Sequence, residues 1–342
     1  MLKQIRYFLE YLIVLIPYSI IRFEPWWMMR STAWVLGFGL YLLPPARKLV
    51  CENIKAAMPE LSDREIKRIA RCSFDNLLWN LVEYIWLIGN EKRIRRCCAL
   101  DPETEEVMHR KVRNNEQVIF VNPHLGSWEA SGLMSPFYAR VKLAAIAKPV
   151  RNPYLNKLLN SGNRESTPGV KVIFSKGAMR ASLQALKEGW SIGTLIDQNT
   201  RVRDGGVFVN FFGLPVPSST APAMLQSYCN QKKIPCQIFF ACSLREKSGK
   251  VVGRAWPLDK PFEEYASHSE ILQELMKKSE KLIRENPEQY LWMYRRFQYI
   301  PEDATPEQIS RYPRYAVRPD KAFYSKVERQ KKHAENNEPS GA

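Results

Sequence analysis

His124 and Glu129 stand five residues apart in the segment Gln117-Val-Ile-Phe-Val-Asn-Pro-His-Leu-Gly-Ser-Trp-Glu129, and an imidazole steadied by a carboxylate is a general base. Residues 118–121 are β-branched and aromatic between polar neighbours, which reads as a short buried strand. Asn122-Pro123 ends that strand and His124 falls on the turn. Gly126-Ser127 then starts a helix, with Ser127 as its N-cap. This helix would bury Trp128, Leu133, Met134 and Phe137 and carry Glu129 in its first turn, so that His124 and Glu129 can meet. The other histidines, 109, 268 and 333, lie in polar helical, loop or tail contexts. Only His124 follows a buried strand at a helix start, where α/β sheets tend to bind their ligands. Taken alone, it reads equally well as a hydrogen-bonded loop histidine.

Three later stretches add chemistry. Ala147-Lys-Pro-Val-Arg-Asn-Pro-Tyr154 sets cations and a turn at a strand end, with Arg151 and Asn152 as candidates. Ile192-Gly-Thr-Leu-Ile-Asp-Gln-Asn199 is a strand ending in Asp197 and Gln198. Gly205-Gly-Val-Phe-Val-Asn-Phe-Phe-Gly-Leu-Pro-Val-Pro217 is an aromatic, glycine-rich loop. Phe208, Phe211, Phe212 and Gly213 in that loop suit a site for an acyl chain. A structural Arg151–Asp197 pair and three core phenylalanines fit the same residues.

The elements that must position these groups alternate from Gln117 onward. Strands are expected over 117–121, 142–147, 170–174, 192–196, 235–243 and 250–256. Helices are expected over 127–138, 153–161, 177–188, 219–231 and 267–285. The pattern predicts an α/β fold, a mostly parallel central sheet flanked by helices. Ahead of it, Ser62-Asp-Arg-Glu65 is a capping box. A long amphipathic helix follows the box, and Glu83 within it reads as an exposed charge. Residues 7–23 are almost wholly apolar and near the lower length limit for a membrane span. No cleavage site closes them, which argues against a removed signal peptide. Trp26, Trp27, Arg30 and Trp34 suit an interfacial helix. Two buried core helices are the alternative. Residues 1–45 are therefore read as membrane anchor and interfacial helix, 46–312 as the α/β domain, and 313–342 as a charged, partly disordered tail.

A formal charge of +16 over 342 residues implies an acidic partner: nucleic acid, anionic membrane or an acidic carrier protein. The basic residues are not interleaved with aromatics in a stacking pattern, so nucleic acid has little support. Seven cysteines with no CxxC or Cys/His zinc spacing point to reduced thiols and no metal. Neither a dinucleotide fingerprint nor a phosphate-binding P-loop is present, and no GxSxG or HExxH. No nucleotide or other cofactor is expected.

In order along the chain, Asn53-Ile-Lys-Ala-Ala-Met-Pro-Glu-Leu-Ser62, His124-Leu-Gly-Ser-Trp-Glu129, Arg151-Asn-Pro-Tyr154, Asp197-Gln198 and the 205–217 segment resemble the bacterial lipid A biosynthesis acyltransferases, the late lauroyl and myristoyl transferases. The resemblance covers roughly residues 1–300, and His124-x4-Glu129 matches the family's His-x4-acid motif. It implies a glycerolipid-acyltransferase-like α/β body behind an N-terminal anchor at the bacterial inner membrane, facing the cytoplasm. An acyl carrier protein would donate and a lipid A precursor would accept. His124 would be the base and Glu129 its orienting acid. Arg151 and Arg164 would meet acceptor phosphates, and Phe208, Phe211 and Phe212 would line the acyl groove. Two departures bear on headgroup recognition: Asn199 stands where many relatives have a second Asp, and Arg164 is the one arginine in an often arginine-richer segment. A phosphatidylinositol mannoside acceptor, a hydrolase using water, and a non-catalytic lipid-binding protein on this fold are the alternatives.

Overall fold

The computed structural model describes residues 2–162 and 164–325. The chain opens with α1 (Leu2–Phe23), α2 (Trp26–Tyr41), α3 (Pro44–Ala57), α4 (Asp63–Leu87) and α5 (Glu91–Cys97). Next come β1 (Cys98–Leu100), α6 (Pro102–Arg113), β2 (Gln117–Asn122), α7 (Trp128–Tyr138) and β3 (Leu143–Ala147). Beyond these lie α8 (Pro153–Asn156), β4 (Val170–Phe174), α9 (Ala178–Lys187), β5 (Ser191–Leu195), β6 (Gly206–Phe211) and β7 (Leu214–Ser219). The body closes with α10 (Ala221–Gln231), β8 (Cys236–Arg245), β9 (Val251–Pro257) and α11 (His268–Glu285), followed by two short helices, α12 (Pro306–Arg311) and α13 (Lys321–Tyr324).

Among the described residues, seven strands form the main sheet in the order β1-β9-β8-β2-β5-β3-β4. Strand pairs are parallel except β8 with β9, so the fold is α/β with a mostly parallel sheet. Both faces of β2 are covered, as a parallel sheet requires. Ile119 and Val121 enter the larger core, while Val118 packs with Met108, Val141 and Phe239 on the other side. All six expected strands are present. The expected helix over 153–161 is α8 prolonged by a wider turn at Lys157–Ser161.

The capping box forms as the spacing demands: Ser62 Oγ accepts from the Glu65 N–H at 3.3 Å, and the Glu65 carboxylate accepts from the Ser62 N–H at 2.9 Å. α4 then supplies a spine against which α2 packs through Met29, Ala33 and Gly37. At Gly37 the backbones approach so closely that a Cβ would lie 2.5 Å from the Asp75 carboxylate. α1 is fixed at both ends. Near its start, the Asn152 side chain donates to the Tyr7 carbonyl at 2.8 Å and to Glu10 at 3.0 Å. At its end, Arg22 donates to the Ile88 carbonyl at 2.6 Å. Its outer face, with Ile13, Ile16, Ile20 and Phe23, is exposed.

The 205–217 segment is not a loop but the antiparallel hairpin β6–β7. Phe212 and Gly213 both have positive φ, 55° and 78°, the geometry of a two-residue hairpin turn that follows strand twist. Strand alternation then sends Phe211 into the core against Tyr290 and Phe297, and the turn itself sets Phe212 against Trp292. Both are at most 2% exposed, so neither lines a groove. Phe208 points to the other side and packs on Phe323 of α13. The described part of the expected tail folds back on the body, where the Tyr315 hydroxyl donates to Asn53 and Val317 bridges Tyr299. Residues 326–342 of that tail lie outside the described residues.

Candidate active site

Asn122 and Leu195 are paired across the β2–β5 ladder. Two residues beyond each of them stand His124 and Asp197. Parallel register therefore delivers an imidazole and a carboxylate, 73 residues apart in sequence, to the same sheet edge. The His124 Nδ1 lies 2.6 Å from Asp197 Oδ1, and the His124 backbone N–H donates to Oδ2 at 2.8 Å. The carboxylate thus grips both ring and backbone. Trp128 meets the ring edge-on at 5.3 Å between centroids. An acceptor-only carboxylate on Nδ1 places the proton there and leaves Nε2 unprotonated, with a lone pair that can accept. Burial works to raise the Asp197 carboxyl, but its electrostatic pairing and hydrogen bonds with His124, aided by Arg296, outweigh it and hold Asp197 below its ordinary range.

Glu129 is engaged elsewhere. Its carboxylate pairs with the Arg164 guanidinium at 2.5 Å, and Arg164 Nε donates to the Tyr84 hydroxyl at 3.3 Å. The carboxylate that contacts the ring is thus Asp197 and not the expected Glu129, because strand register outranks closeness in sequence. Burial opposes the Arg164 charge, but Glu129 and Tyr84 more than restore it. Burial lifts the Tyr84 phenol to about 12. Arg164, expected at acceptor phosphates, has its charge met within the protein. A Glu129→Ala and Arg164→Ala cycle should show a coupling of about 1–3 kcal/mol in urea unfolding, since either single change strands a half-buried charge. Strict additivity would show that the pair holds nothing in place.

The turn after His124 is clamped from below. Gly126 adopts φ +66°, and a Cβ there would fall 2.1 Å from the Ser243 carbonyl oxygen, so only glycine fits. Its N–H donates to the Gln289 carbonyl at 3.0 Å, and the Ser127 N–H to the Ser243 carbonyl at 2.7 Å. These backbone donors, candidates for stabilising a developing oxyanion, are thus already used. Ser127 does not cap α7 with its side chain; its hydroxyl donates to Glu83 instead. Glu83 is fully buried, not exposed. Arg245 holds both of its oxygens, at 2.5 and 2.8 Å, and also donates to Asn80 Oδ1 at 3.2 Å. Asn80 in turn donates to the Gly126 carbonyl at 2.5 Å.

His124, Trp128, Glu129, Arg164 and Gln198 line an open cavity of about 1170 Å³, with Leu40, Leu77, Leu78 and Leu81 on its apolar side and Lys148 and Arg201 among its cations. Behind Trp128 and Glu129 lies a second, largely apolar cavity of about 100 Å³ lined by Met108, Phe120, Leu133, Met134 and Leu195. The Glu129–Arg164 pair borders both. Asn152 is buried, N-capping α8 and tying in α1, while Arg151 is exposed at the surface. Gly213 serves the hairpin turn.

Residues 2–299 match the family model described as bacterial lipid A biosynthesis acyltransferase. The chain belongs to that family. This acyltransferase is 24% identical over 264 residues to a lipid A biosynthesis acyltransferase of Haemophilus influenzae, covering 74% of this chain and 78% of the relative. It is 26% identical over 251 residues to lipid A biosynthesis acyltransferase 2 of Shigella flexneri, covering 72% and 76%. In the acyltransferase the histidine of the His-x4-acid spacing lines the open cavity, while the carboxylate at its ring comes from another strand. Glu83 carried a signal of its own. It sits in Val82-Glu-Tyr-Ile-Trp-Leu-Ile88, a stretch apolar on every side, where a charge must be buried and paired.

Proposed function

We propose that this acyltransferase moves a fatty acyl chain from an acyl carrier protein thioester to a hydroxyl of a lipid A precursor at the bacterial inner membrane. The observation that carries this is the buried His124–Asp197 pair opening into a cavity with an apolar wall from α2 and α4. The acceptor hydroxyl gives its proton to His124 Nε2 as its oxygen attacks the thioester carbonyl carbon. The carbonyl π pair moves onto oxygen. Collapse restores the carbonyl and breaks the C–S bond, and the departing thiolate takes the proton from the imidazolium. Asp197 keeps the ring in the tautomer that can accept, and general-base assistance of this kind contributes about 10²–10⁴-fold.

The acyl chain is assigned to the apolar wall of the open cavity, formed by Leu40, Leu77, Leu78 and Leu81, and not to the phenylalanines of the hairpin. Lys148 and Arg201, at the open cavity, suit the phosphates of the acceptor. α1 is long and apolar enough to cross a membrane by length and composition, and exposed Trp27 and Trp34 on α2 suit the interface. The +16 charge supports attraction to an acidic carrier protein and anionic lipid. The full-length protein in detergent, given acyl carrier protein thioester and lipid A precursor, should yield the acylated lipid by mass spectrometry. His124→Ala should lower the rate about 10³-fold. Free fatty acid as the sole product would make the protein a hydrolase. Transfer to phosphatidylinositol mannoside alone would reassign the acceptor, and no thioester consumption at all would make it a lipid-binding protein.

A further inference from the structure

The lone pair on His124 Nε2 is where an incoming hydroxyl must donate, and that position is taken. Gln198 Nε2 lies 3.3 Å from it. The orientation of this amide follows from its neighbours. Lys148 Nζ, which can only donate, reaches Gln198 Oε1 at 3.2 Å, so the carbonyl end faces Lys148 and the NH₂ end faces the histidine. The histidine can accept, because Asp197 holds its proton on Nδ1. Lysine, amide, imidazole and carboxylate thus form one chain with a single consistent set of donors and acceptors. Its inner end is buried, with Asp197 2% exposed. Its outer end lies in the open cavity, with Lys148 exposed. Both Gln198 contacts are longer than strong hydrogen bonds, so they can be exchanged for better ones.

We infer that Gln198 decides between acceptor and water: its amide occupies the base's lone pair until an acceptor carrying both a hydroxyl and an anionic group displaces it. This rests on the proposed acyl transfer with His124 as base. A water molecule offers only a hydroxyl, and it leaves the Lys148–Gln198 contact intact. An acceptor bearing phosphate draws Lys148 into a charge-assisted pair, stronger than its bond to a neutral amide. Gln198 loses its outer partner at the moment the acceptor hydroxyl arrives at Nε2. Hydrolysis needs the same proton transfer as acylation: water attacks the thioester carbon, His124 takes its proton, and the proton passes to the departing thiolate, leaving a fatty acid. Covering the base in the absence of acceptor therefore protects the thioester.

The test uses the full-length protein with lauroyl, myristoyl and palmitoyl thioesters of acyl carrier protein, with and without lipid A precursor. Without acceptor, Gln198→Ala and the similarly sized Gln198→Met should both release free fatty acid about tenfold faster than the native chain, the equivalent of one lost hydrogen bond. Lys148→Met should give a smaller rise together with a higher KM for the acceptor. Adding His124→Ala to Gln198→Met should abolish the release. Unchanged or slower hydrolysis in both Gln198 variants overturns the inference, as does a rise in Gln198→Ala alone, which would show a shield of bulk and not of hydrogen bonding. Hydrolysis surviving the loss of His124 also overturns it. If the native chain transfers no acyl group, the proposed function falls instead; if it transfers and His124→Ala does not, flat Gln198 results sink this inference alone.

Discussion

Asp197→Asn should lower kcat by about 10³–10⁴-fold while leaving the fold and the acceptor KM nearly unchanged. The amide is the same size as the carboxylate and its oxygen can still accept from the His124 backbone N–H. What changes is the other end. The carboxylate now accepts from Nδ1 at 2.6 Å, whereas the amide NH₂ would donate to it. That moves the ring proton to Nε2 and removes the lone pair that takes the acceptor's proton. Adding His124→Ala to this variant should cost little more, because the two side chains act as one unit. A loss of only a few-fold, with thermal unfolding unchanged, would show that the tautomer does not limit the reaction. The acid behaviour follows with a definite sign. Asp197 is held below its ordinary range, so its contribution to stability is full above the usual carboxylate pKa of about 3.9 and is lost only as pH falls through the lower native value.

Arg245→Met should destabilise the protein by about 3–5 kcal/mol, the cost of leaving a buried charge without its partner. Glu83 is 0% exposed. Besides Arg245 it has only the Ser127 hydroxyl among the described hydrogen bonds, a neutral donor that cannot balance a full charge. The Arg245 guanidinium also stacks on Trp79 at 4.2 Å, and the methionine stem keeps part of that packing. Glu83→Leu combined with Arg245→Met should lose less than the sum of the single changes, since removing both charges strands neither. Urea unfolding of the three variants measures this. Additive losses would mean that the two side chains stabilise independently of one another.

The alternation of apolar strands and amphipathic helices was enough to foresee a covered parallel sheet, because both patterns are local. His124 was legible for the same reason: strand, turn and helix start are contiguous around it. Its partner was not. The Asp197 contact depends on which strand lies beside β2, and β5, though it follows β3 and β4 in sequence, sits between β2 and β3. Adjacency in sequence favoured Glu129, and the fold spends Glu129 on Arg164. The hairpin phenylalanines misled in another way. Their composition fits an acyl groove, but a two-residue turn at Phe212-Gly213 sets the strand register and drives Phe211 and Phe212 into the core.

The first helix is bolted to the body twice, by Asn152 near its beginning and by Arg22 at its end. A rod pinned at two points cannot swivel as a leash would. It acts as a splint, and the mouth beside His124 keeps one fixed bearing to whatever surface the rod enters. Cutting the rod away to obtain a soluble fragment would also unfasten the Asn152 turn, four residues beyond Lys148, and so disturb the cavity rim from a distance.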